Sequence, residues 1–213
     1  MFSVIVKRLK SIFAERFDRG PLATVDDLVR FVDTRAAYVA QTSLYGYLKT
    51  RMGTDFQRHF EDEIFSGVIR ASVVRVYAAC LADLAVFTVA TARAAGGMGN
   101  EECAALASHC YRAALAKGVS EPDQAHLPGD GCLSFDSRAH QLDWDHAAKG
   151  ENAFLGSAAS LIACAPVVPE FKKLDQEIVT NSIRFRWRDV REVGRRRIDG
   201  AAVAASWRER RQA

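Results

Sequence analysis

The sequence predicts an all-α fold, a helical bundle of six to eight helices with mostly antiparallel neighbours around one buried helix. Three observations carry that expectation. Alanine, the strongest helix former, occurs 34 times in 213 residues, against only 14 glycines and 5 prolines. Apolar residues recur at helical rather than strand spacing along most of the chain. The longest apolar stretch, VYAACLADLAVFTVATA over Val76–Ala92, is long enough to form the core of such a bundle. At 23.5 kDa the chain fits one large domain. The expected organisation is a basic amphipathic helix over 1–20, a helical domain over 21–198 and a basic tail over 199–213.

The elements follow in order. Phe2, Ile5, Leu9, Ile12 and Phe13 form an apolar stripe over 2–18, with Lys7 and Arg8 largely off it. Gly20-Pro21 ends that run, because proline disfavours helix in the residue before it. Thr24, three residues before Asp27, opens a helix to Met52, with Gly53 as its C-terminal cap. Thr54 is expected to cap a run to Ala95, with Gly67 a candidate break, and Gly96-Gly97 stops it. Asn100 is expected to cap a helix through Lys117. Residues 119–134 read as a loop, 136–148 and 152–164 as short helices, and 170–198 as a long final helix after Pro166 and Pro169. The last fifteen residues either fray or dock through Trp207.

Val76–Ala92 falls short of a membrane span, which needs roughly 20 apolar residues and avoids a central carboxylate such as Asp83. No transmembrane span is expected, and Asp83 is expected to be buried and paired with an arginine from another helix. The start MFSVIVKRLKSIF lacks a continuous apolar core and a cleavage site. Five cysteines, an odd number without a CxxC pair, point to buried thiols in a reducing compartment. A cytoplasmic protein is the expectation.

Motifs for catalysis are absent. No GxSxG elbow occurs; Gly156-Ser157 sits in the helical segment GSAAS. Gly96-Gly97-Met98-Gly99 lacks the Lys-Ser/Thr ending of a phosphate loop. Asp136, His140, Asp143, Asp145 and His146 cluster, as do His59, Glu61, Asp62 and Glu63, but neither group has a metal-site pattern. Both read as solvated polar helix faces. No catalytic residue, metal or cofactor is assigned.

The charge is more informative. The net +3 divides into +3 over residues 1–19, −6 over 20–183 and +6 over 184–213. Arg184, Arg188, Arg191 and Arg195 are spaced by four, three and four, one stripe of a helix, with Phe185 and Trp187 interleaved. With Lys7 and Arg8 they form the candidate binding surface. Such a stripe suits an acidic protein or an anionic membrane surface, and less well nucleic acid. It could equally pair with the acidic body of the same chain.

The stretches TVDDLVRFVDTRAAYVAQTSLYGYLKTRMG, VYAACLADLAVF and DQEIVTNSIRFRWRDVR resemble an uncharacterised family of bacterial proteins, some of which carry an esterase label. The resemblance implies a bacterial cytoplasmic protein and, through that label, a small hydrolase. This sequence lacks the nucleophile elbow that an esterase would need. The reading from the residues is a helical interaction module that docks through its basic amphipathic ends.

Overall fold

A computed structural model describes residues 20–56, 62–127, 129, 131–150 and 154–212. The helical segment expected over 2–18, with Lys7 and Arg8, lies outside them, as do His59 and Glu61. The architecture is all-α: the described residues hold eight α-helices and two 3-10 turns, more elements than the six to eight expected, and no strand beyond one isolated bridge.

Helix α1, Val25–Met52, starts as the sequence requires. The Thr24 hydroxyl accepts from the Asp27 N–H, and the Asp27 carboxylate accepts from the Thr24 N–H, a closed capping box. Gly53 ends it with a positive φ of 58°. Helix α2, Glu63–Gly96, does not begin at Thr54. A 3-10 turn occupies Gly53–Phe56, and Asp62 caps α2 by accepting from the N–H groups of Ile64 and Phe65. Gly67 does not divide it, because one glycine costs a helix only about 1 kcal/mol and the surrounding turns continue.

Gly97, left-handed at φ 57°, turns the chain into α3, Asn100–Gly118. Gly99 rather than Asn100 is the N-cap here; the Asn100 side chain instead accepts from Arg93. The expected loop contains a 3-10 turn at Glu121–His126, and its last residues join α4, Gly131–His140. The helix expected over 136–148 is broken at Gln141–Asp143. The Asp143 carboxylate accepts from the N–H groups of Asp145 and His146 and so starts a separate helix, α5, Trp144–Lys149. Helices α6, Leu155–Cys164, and α7, Pro169–Arg197, follow the predicted order. The tail is a further helix, α8, Gly200–Gln212, docked through Val203, Ala204 and Trp207.

Helix α2 is central and packs against α1, α3, α6 and α8. Seventeen of its residues are buried, Asp83 among them. It is the one described helix long and apolar enough to cross a membrane, and 83% of its apolar window is covered by the bundle itself. The α7–α8 junction is pinned to the start of α1: the Leu22 N–H donates to Arg197 at 2.8 Å and the Asp199 N–H to Leu22 at 3.0 Å.

Two buried acids organise the bundle. Helix α6 starts at Leu155 without a side-chain cap of its own. Asp83 of α2 supplies the missing acceptor, taking the Ser157 N–H at 2.7 Å. A Cβ on Gly156 would stand 3.0 Å from that carboxylate, so a small residue lets the helix end approach. Arg138 of α4 lies 3.7 Å away, the expected arginine from another helix, although the backbone is the closer partner. Burial pushes the Asp83 carboxyl up to about 6 against the lowering effect of these donors. Asp175 of α7 accepts from Tyr47 at 2.9 Å and from Arg51 of α1. The Arg51 hydrogen bonds hold its carboxyl below the usual carboxylate range.

Candidate functional site

The basic stripe is positioned by the side of α7 that does not face the core. Val179, Ile183, Trp187, Val190 and Gly194 form the buried stripe of α7. Trp187 packs against Phe154 with tilted rings, 4.6 Å between centroids, and its indole N–H donates to the Ser157 hydroxyl at 3.0 Å. These contacts fix the rotation of α7 and hence what it presents outward. Phe185 and Trp187, adjacent in the pattern, point opposite ways: Trp187 is buried and Phe185 is 59% exposed.

The structure separates the four arginines by role. Arg184 and Arg188 are exposed. The Arg188 guanidinium lies 4.3 Å from the Phe185 ring centroid, a cation–π contact, and 3.6 Å from Asp189 beside it. Arg191 is half-buried over the Phe154 ring at 5.7 Å. Arg195 donates to the carbonyls of Ala148 and Lys149 at 3.4 and 3.0 Å, placing a cation at the C-terminal end of α5. Arg195 is therefore partly structural, and Arg184 and Arg188 are the open members. Among the described residues no acidic side chain of the bundle pairs with Arg184.

Arg188, Arg191 and Arg195 join Lys149, Glu192 and Arg196 around a concavity of about 570 Å³. Lys149 comes from α5 and has no signal in the α7 pattern. Leu174 and Ile178, which the arginine spacing does not point to, are 73% and 71% exposed on the outward side of α7.

The other candidates disperse. Asp136 pairs with Arg112, His140 lies 3.2 Å from Glu101, Asp143 caps α5 and Asp145 pairs with Arg93. The described residues contain no group of three or more His, Cys, Asp or Glu placed to hold a metal ion. Ser157 of GSAAS is fully buried, with its hydroxyl engaged by Trp187.

Comparison with family models, curated proteins and solved structures finds no match for the chain.

Proposed function

We propose that the protein is an interaction module whose α7 helix docks on an acidic protein surface. The observation that supports this is the outward face of α7, where Arg184 and Arg188 stand open beside Leu174, Ile178 and Phe185. Apolar contacts with interleaved arginines are the composition of protein interfaces, in which arginine and aromatic residues anchor the centre. Glu177, Asp189 and Glu192 lie exposed near the same arginines. That alternation suits a partner of patterned charge.

The test uses immobilised poly-L-glutamate, phosphatidylglycerol vesicles and duplex DNA as probes. Retention on poly-L-glutamate is expected at low salt, with loss in the Arg184→Glu/Arg188→Glu variant. Equal retention of the variant overturns the reading. Stronger binding to vesicles or DNA than to poly-L-glutamate overturns it in favour of a membrane surface or nucleic acid.

A further inference from the structure

Helix α7 carries two apolar stripes. One faces the core through Val179, Ile183, Trp187 and Val190. The other, Phe171, Leu174, Ile178 and Phe185, lies on the opposite side and is exposed. Positions 171, 174, 178, 181, 185 and 188 alternate in steps of three and four. That is a heptad seam, the pattern by which one helix packs along another. Its apolar members are interrupted by Asn181 and followed by Arg188, and exposed apolar surface rimmed by polar residues marks an interaction site.

We infer that this seam closes on the same seam of a second copy of the chain, antiparallel, about a two-fold axis near residue 180. The inference rests on the docking role of α7 and names its partner. In this register Ile178 meets Asn181 of the second copy, Leu174 meets Phe185, and Phe171 meets Arg188. The flanking charges then match: Glu177 comes level with Arg184 of the second copy, and the two-fold repeats the pair. Glu177 and Arg184 are both exposed. The acidic partner of Arg184 is thus Glu177 of another α7.

Other occupants match less well. A parallel pairing sets Arg188 against Arg188 and Glu192 against Glu192 within the seam. Residues 1–19 of the same chain hold five basic and two acidic residues, a charge that opposes Arg184 and Arg188. The antiparallel copy instead sets Leu174 against Phe185, lays Phe171 against the Arg188 side chain, and brings Glu177 to Arg184.

Sedimentation equilibrium of the full chain at roughly 1–100 μM tests this. A reversible dimer is expected. Ile178→Asp is expected to give a monomer with an unchanged circular-dichroism melt, since Ile178 is 71% exposed. Glu177→Arg and Arg184→Glu each create two like-charge contacts and are expected to weaken the dimer about tenfold or more. The combined swap is expected to restore it to within about threefold of the original. A chain that stays monomeric throughout, a dimer indifferent to Ile178→Asp, or a double swap no better than the singles overturns the inference. The poly-L-glutamate assay separates the two levels. The Ile178→Asp monomer keeps Arg184 and Arg188. If it is retained while the parent chain never dimerises, the second copy is refuted and the docking role stands. Absence of both retention and dimer refutes both.

Discussion

Asp83 shows how one side chain can be legible in the sequence by its cost and not by its purpose. A carboxylate in the middle of an apolar helix must be paired, and this follows from solvation alone. Its purpose, capping a helix more than seventy residues away, depends on which helix end arrives beside it. The pairing has a consequence for pH. The folded carboxyl sits near 6, above its unfolded value, so the folded state holds the proton more tightly than the unfolded chain. The associated stability is fully present below about pH 4 and is lost as pH rises through about 6. Asp83→Asn keeps an acceptor for the Ser157 N–H and removes the titration. Its stability relative to the parent is therefore expected to rise between pH 4 and 7, by on the order of 2–3 kcal/mol. Denaturant melts across that range measure it, and a flat difference contradicts the assignment. The serine beside this site illustrates the converse. Gly156-Ser157 suggests a nucleophile only in isolation; in place, Gly156 admits the Asp83 carboxylate and Ser157 is a buried link between α6 and Trp187.

Helix ends were readable where the signal is local. The Thr24–Asp27 capping box and the Gly97 turn depend on neighbouring residues only. Thr54, Asn100 and the run 136–148 misled for a common reason. In each case the helix starts at another residue able to cap, Asp62, Gly99 or Asp143, and the cap signal alone does not rank the two. The tail is the clearest element decided by packing. Its composition is weakly apolar, yet α8 lies directly against α2, because Gly96 and Gly200 face each other. A Cβ on Gly200 would come 2.2 Å from the Ala92 carbonyl oxygen, and one on Gly96 would come 2.6 Å from the Gly200 carbonyl oxygen. Gly200→Val is therefore expected to force α8 away from α2 and destabilise the fold by about 1–3 kcal/mol. Increased proteolysis after Arg197 would report the detachment; an unchanged melt and digestion pattern would count against the close contact.

For the whole molecule, stability and recognition reside on opposite sides of α7. The inward stripe, with Trp187 packed against Phe154 and Phe154 5.4 Å from Phe87, ties α7 to α2 and α6. The outward stripe contributes little to the fold, because exposed substitutions away from caps and buried pairs usually change stability by less than about 0.5 kcal/mol. Arg184→Glu/Arg188→Glu is expected to melt within that margin of the parent while losing retention on poly-L-glutamate. A large drop in its melting temperature would make these arginines structural. Raising the salt from about 50 to 500 mM is expected to weaken retention, since exposed charges are screened beyond roughly a Debye length.

The sequence by itself determined the helical class, the order of the helices, the central position of Val76–Ala92 and the concentration of arginine in the last thirty residues. These follow from periodicity, propensity and charge, which act between residues close along the chain. Only the tertiary structure decided which face of α7 is buried and that Arg195 serves α5. It also decided that Arg184 and Arg188 stay open and that Leu174 and Ile178 lie in solvent. A helix with two apolar stripes has two equally periodic faces. The choice between them is made by the shape of the surface it packs against, where Trp187 finds Phe154 and the Ser157 hydroxyl, and no local rule contains that surface.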